Sequence, residues 1–309
     1  MSGLSANRRV ALYLTLAAAS WGAGTAISKR AVAEIPPLTL LPIQLAVSVT
    51  VLVLLMRGRG ENLNPAARSS LLGRLGLLNP GLAYSLSLLG LVSITASLSV
   101  LLWAVEPVMI LVLAAAFLGE RGGRALVGLS AVAVTGMVLV LYDPASAGQW
   151  PGVLLTLAGV ACCAAYTVVA RRFLPAAEST MGVVVVQQVY ALALALVVLV
   201  AIGLLGGRVW PDGLTVVGAV SVVGSGVFYY GLAYWFYLSA LRHVPASVAA
   251  VSFYLIPVFG IAAGAGLGER LDLRQWIGAA IVVLAVAAVA WLAARVPRAE
   301  GDRTTDTAT

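Results

Sequence analysis

The chain has 309 residues, of which 61% are hydrophobic and 10% charged, with a mean hydropathy of +1.02. A charged fraction so far below the roughly one quarter of soluble domains excludes an ordinary water-soluble fold. The formal net charge of +7 does not point to nucleic acid, because the basic residues lie in short segments between apolar runs, where they orient membrane helices.

In chain order, the apolar runs predict ten membrane-spanning helices at 10–28, 37–56, 71–91, 94–118, 125–142, 152–171, 181–205, 214–241, 246–268 and 274–295, each near the length that crosses the hydrocarbon core. The runs are apolar all round, which excludes a β-barrel with its alternating pattern. Arg8 and Arg9 precede the first run in the manner of a signal peptide, but the run continues past Trp21 to Ile27 and suits a retained helix better. The third run is diluted by Ser85, Ser87 and Ser93, and Asn79-Pro80-Gly81 inside it is a candidate break in a longer segment. Cys162 and Cys163 are adjacent in mid-span, where they read as small packing residues. Residues 297–309 are charged or small and are expected to be a disordered tail.

With the amino terminus in the cytoplasm, only Lys29, Arg30, Arg208, Arg270 and Arg274 of the 19 basic residues fall on the opposite face. This bias predicts both termini on the cytoplasmic side.

The chain also repeats itself. Gly81-Leu82-Ala83-Tyr84, Pro107 and Leu118-Gly119-Glu120-Arg121 return as Gly231-Leu232-Ala233-Tyr234, Pro257 and Leu267-Gly268-Glu269-Arg270. Each half holds five predicted spans, an odd number, so the second half enters the membrane from the opposite side. The expected fold is an all-α membrane protein of ten transmembrane helices, two inverted five-helix repeats around a central cavity. The first repeat occupies 1–147, the second 148–296, and the tail 297–309. Two inverted halves are able to exchange conformations, which supplies inward-open and outward-open states.

These residues resemble the drug/metabolite transporter superfamily, in its ten-span EamA-type branch. The resemblance rests on Trp21-Gly22 and Lys29 in the first span, the Pro107–Glu120 block and the Pro257–Glu269 block, and it covers nearly the whole chain. It implies export of small organic metabolites, amino acids among them, through a central cavity in a bacterial inner membrane. Many relatives carry an arginine in the second span near the position held here by Gln44, a departure that bears on recognition of an anionic substrate group.

Glu106 is the sharpest candidate for chemistry, because a carboxyl midway along a span is costly and belongs in a cavity. There it would bind a proton or a cationic amine in alternation, or else remain protonated as a structural hydrogen-bonding group. Its repeat mate is Ile256, so the carboxylate is an asymmetric addition. Helical spacing places Ser99, Trp103 and Glu106 on one face. An aromatic beside a carboxylate suits a substrate carrying an amine.

The eighth span is rich in aromatics, and Tyr230, Tyr234 and Tyr237 share a face. Tyr234 and its repeat mate Tyr84 are candidate substrate contacts, as are Tyr254, Trp21 and Tyr166, with Thr25 nearby. Gln44 and the Gln187-Gln188 pair occupy corresponding places in the two halves, and either contact substrate or bridge helices. Pro107 and Pro257 each remove a helical hydrogen bond and are expected to act as hinges or kinks. Gly260, Gly264 and Gly268 have the spacing of a helix-packing face. His243, the only histidine, lies at the end of the eighth span and reads as incidental.

No nucleotide loop, metal cluster or nucleophile with a base appears in the sequence, which argues against ATP-driven transport and against an intramembrane enzyme. No cofactor is implied. The expected partners are a small-molecule substrate, the lipid bilayer and, in a rival reading as an efflux pump for hydrophobic cations, protons.

Overall fold

The computed structural model describes residues 6–61, 63, 70–91, 93, 102–103, 105–120, 124–141, 150–174, 179–211, 213–266 and 273–295. Ser99, the second Leu-Gly-Glu-Arg turn and the tail lie outside these residues, as do the side chains of Lys29, Pro257 and Gly264. Among the described residues the chain is helical, without strands.

The helices are α1 (Ala6–Val32), α2 (Pro37–Gly58), α3 (71–91), α4 (Glu106–Leu118), α5 (Arg124–Leu141), α6 (Trp150–Phe173), α7 (Thr180–Leu204), α8 (Val216–Leu241), α9 (246–266) and α10 (Leu273–Arg295). Five of them, α1, α2, α6, α7 and α8, are long and apolar enough to cross a membrane. Shorter apolar helices run through α4, α5, α9 and α10. Large apolar side chains such as Val112, Leu154, Val197 and Leu284 are exposed on the outside of the bundle, as expected where the solvent is hydrocarbon rather than water.

The packing between helices is reciprocal. Helix α1 lies against α8 and α9, while α6 lies against α3 and α4; α2 meets α7 and α8, while α7 meets α2 and α3; and α5 pairs with α10. Each of these contacts of a helix in the first half has a counterpart five helices further on. Two glycines show why the sequence permits this. A methyl group at Gly76 of α3 would fall on the backbone of Gln187 in α7, and one at Gly226 of α8 would come within 2.8 Å of the carbonyl oxygen of Gln44 in α2. Only a residue without a Cβ lets the two backbones approach so closely.

Helices α3 and α8 both open into a wide turn at corresponding places. In α3 this spans Leu78–Leu82, with Asn79 extended at φ −145° and ψ 122°, because the residue before a proline is disfavoured in the α region. The break suggested by Asn79-Pro80-Gly81 is therefore present. In α8 a π-helical segment covers Gly226–Leu232.

Three glutamates of the first half anchor helix N-termini of the second, where unpaired N–H groups and the helix dipole favour a carboxylate. Glu34 accepts from the Thr215 amide at 2.8 Å and its hydroxyl at 2.7 Å, at the start of α8. Glu61 accepts from the Ser179 hydroxyl at 2.8 Å, and Ser179 in turn caps α7 through the Gly182 amide. Glu120 accepts from the amides of Ala246 and Ser247 at the start of α9.

The two prolines differ in setting. Pro107 lies in the first turn of α4, where its missing N–H costs no hydrogen bond within that helix. Pro257 lies within the helical Leu255–Gly266, just after a 3₁₀ turn over Val251–Tyr254. A tightened turn at that point is how a helix accommodates a proline that cannot bond four residues back. His243 sits in the turn after α8; desolvation and the neighbouring Arg242, Arg9 and Arg171 push its pKa below the ordinary histidine value, which leaves the ring uncharged at neutral pH.

Candidate functional site

A cavity of about 290 Å³ lies between the halves, lined by α1, α3, α4, α6, α8 and α9. Helices α2, α5, α7 and α10 contribute nothing to its lining among the described residues. The lining thus takes the same three helices from each half.

The wide turns determine which side chains reach it. Asn79 and Tyr84 of α3 both line the cavity, and so do Tyr229 and Tyr234 of α8. Each pair is five positions apart, which on a regular α-helix would put the two side chains about 140° from one another. A turn widened to i→i+5 returns them to one face. In α8 this shift brings Tyr229 to the cavity in place of Tyr230, which is buried behind it and stacks on Tyr234 at 6.4 Å between ring centres.

The aromatic groups form a continuous wall. Trp21 meets Tyr234, Tyr237 and Phe253 edge-on with ring centres 5.4–5.5 Å apart. Tyr84 stacks on Trp103 at 5.4 Å and meets Tyr229 edge-on at 5.8 Å. These separations are those of favourable offset and edge-to-face pairs. Thr25 donates its hydroxyl to the carbonyl of Trp21 at 2.8 Å, one turn back on α1.

Two polar groups stand out. Glu106, 7% exposed, lines the cavity and makes no hydrogen bond or ion pair among the described residues. Its repeat mate Ile256 also lines the cavity, so the carboxyl group has an apolar counterpart from the other half. Asn79, 5% exposed, accepts the Tyr234 hydroxyl on Oδ1 at 2.9 Å, and its amide nitrogen has no acceptor among the described residues.

Of the residues singled out from sequence, Trp21, Tyr84, Trp103, Glu106, Tyr166, Tyr234 and Tyr254 come together around the cavity. Gln44 and Gln187 do not. The Gln44 amide donates to Ser225 at 2.7 Å and to Ser28 at 3.0 Å, which ties α2 to α8 and α1. The Gln187 amide donates to the Leu72 carbonyl and its oxygen accepts the Tyr166 hydroxyl, each at 2.8 Å, which ties α7 to α3 and α6. Gln188 donates to the Tyr230 carbonyl at 2.6 Å, within the π-helical segment. Of the two roles open to these amides, the structure shows the interhelical one.

Sequence reasoning missed Asn79 and Tyr229 as lining residues. The signal was available, because the offset that pairs Tyr84 with Tyr234 also pairs Asn79 with Tyr229. Cys163, read as packing, lines the cavity as well.

Apolar helices, an all-helical bundle and a solute-sized chamber shared by two similar halves define a multi-pass membrane protein of the transporter type. A family model for the EamA-like transporter family matches residues 8–142 and again 150–291. The chain belongs to the EamA-like transporter family, with two copies of its repeat. Among curated proteins no significant match is found. A solved structure described only as "Crystal structure of protein" is similar over 93% of this chain and 97% of its own, with a TM-score of 0.75 and 21% identity. At that identity the likeness concerns the fold alone.

Proposed function

We propose that this protein is a secondary transporter that moves small organic metabolites, aromatic or amine-bearing compounds including amino acids, out of the cell by alternating access. The observation that carries the reading is the cavity lined by the same three helices of each half. In this proposal residues 1–147 and 148–296 form two inverted five-helix repeats that supply ten spans. The reciprocal packing of α1 to α5 and α6 to α10 supports such a relation. Both termini lie in the cytoplasm of a bacterial inner membrane, in keeping with the basic-residue bias.

Alternating access needs a cavity that opens to one side at a time. The glutamate anchors fit that need: Glu120 and Glu34 join the halves through hydrogen bonds at helix ends, and such bonds are able to break and reform as the halves rock. Trp21, Tyr84, Trp103, Tyr166, Tyr234 and Tyr254 hold the solute, and Glu106 supplies the charge. The backbone around Pro107 and Pro257 absorbs the change of helix direction.

A second reading, proton-coupled efflux of hydrophobic cations, is favoured by Glu106, which has no polar partner among the described residues. Both readings predict saturable counterflow of labelled solute in proteoliposomes of the full chain, and loss of most of it in Glu106→Gln. Only the second predicts that an imposed proton gradient drives accumulation. Absence of counterflow across a panel of amino acids and aromatic amines would remove both.

A further inference from the structure

Resting on the transporter reading, we infer that this cavity selects a protonated amine that also carries a neutral hydrogen-bond acceptor on an aromatic body, as in an aromatic amino-acid amide or ester, over the free zwitterionic amino acid. Asn79 and Glu106 set that choice.

Glu106 and Asn79 are each more than nine-tenths buried, line the same cavity, and leave a polar atom unpartnered among the described residues: the carboxylate of one and the amide nitrogen of the other. Buried polar groups are normally hydrogen-bonded, so a pair left open in a cavity points to a ligand that supplies the missing partners. The carboxylate calls for a cationic donor. The amide nitrogen calls for an acceptor. Tyr234 fixes which end of the amide is offered, because its hydroxyl already occupies Oδ1 at 2.9 Å.

Charge decides the nature of that acceptor. Among the described lining residues none is basic, and the position across the repeat from Glu106 is held by Ile256. A substrate carboxylate would therefore be desolvated next to a like charge, with neutral donors alone to offset it, the Asn79 amide and lining groups unpartnered among the described residues such as the Trp21 indole N–H and the Tyr237 hydroxyl. A carbonyl of an amide or ester accepts the same hydrogen bond without that cost. The aromatic body has its place against the Tyr84–Trp103 stack and the Tyr229 edge, and the π faces there also attract the ammonium group.

Trp21 and Trp103 line the cavity, so binding is readable as a change in tryptophan fluorescence of the purified full chain, independently of transport. Phenylalaninamide, phenethylamine and phenylalanine share the aromatic body and differ in the acceptor. The expected order of affinity is phenylalaninamide first, phenethylamine roughly tenfold weaker for want of one hydrogen bond, and phenylalanine weakest. Glu106→Gln should abolish binding of both amines. Asn79→Ala should remove the advantage of phenylalaninamide over phenethylamine and leave phenethylamine binding in place. Tyr234→Phe, which releases Oδ1 and lets the amide turn, should narrow the same gap and serves if Asn79→Ala fails to fold. Phenylalanine binding as tightly as its amide, an unchanged ranking in the folded variants, or binding of none of the three overturns the inference. The ranking without counterflow would instead sink the transporter reading, while counterflow of phenylalanine in preference to its amide would sink this one alone.

Discussion

The carboxylate of Glu120 accepts both the amide and the hydroxyl of Ser247, at 3.0 and 2.8 Å, from a helix in the other half of the chain. Its second oxygen takes the Ala246 amide at 3.0 Å. Gly119 makes this possible: in the left-handed conformation, φ 66°, it ends α4 and lets the Glu120 amide close back on the Ala114 carbonyl. Leu118-Gly119-Glu120 is thus a clasp between α4 and α9.

Glu120→Ala should lower stability by about 1–2 kcal/mol, the scale of losing a helix N-terminal anchor. Glu120→Gln keeps one acceptor and should cost less. Thermal unfolding of the purified protein in detergent checks the order, and equal melting temperatures for the wild type and Glu120→Ala would refute the clasp.

Glu34 gives a pH dependence. Hydrogen bonds from the Thr215 side chain and amide hold its carboxyl below the ordinary glutamate range. A depressed folded value means that its contribution is present in full above the ordinary range, about pH 4.3, and is lost as pH falls through the lower folded value. Amide exchange in the first turn of α8 should therefore accelerate on acidification through that window beyond the intrinsic change. In Glu34→Gln the turn should show no such step.

Gly76 and Gly226 should tolerate no side chain. Gly76→Ala and Gly226→Ala force α3 from α7 and α8 from α2, at about 1–3 kcal/mol each, the usual scale of overpacking. Gly58, which has open space around its Cβ position, is the control, and Gly58→Ala should leave the melting temperature within experimental error or raise it slightly.

Gln44 and Gln187 should behave as bridges. Gln44→Leu and Gln187→Leu strip hydrogen bonds from Ser225, Leu72 and Tyr166 and should lower the melting temperature, since each removes buried interhelical hydrogen bonds worth about 1 kcal/mol apiece. The KM of a transported solute should stay within about twofold. A large rise in KM at unchanged stability would return these residues to the binding site.

Much of the fold was legible because its causes are local or periodic. Composition announced a membrane solvent, the apolar runs located the helices, and the duplicated Gly-Leu-Ala-Tyr and Leu-Gly-Glu-Arg blocks announced two copies of one unit. Asn79-Pro80 foretold a break, since proline constrains the residue before it. The aromatic and acidic candidates were legible because such groups are costly in lipid and so belong inside.

What the tertiary structure decided is which of those interior groups share a space. Gln44 and Tyr84 look equally eligible in sequence, yet one ends in a helix interface and the other at the cavity, because the reciprocal packing puts α2 and α7 behind the lining helices. Tyr229 displaced Tyr230 from the cavity because a π-helical turn changed the register, and periodicity assumes a register that does not change. The partner of Glu120 was beyond sequence altogether. A carboxylate after a helix-ending glycine can reach many amides, and only the docking of α9 against α4 chose Ala246 and Ser247.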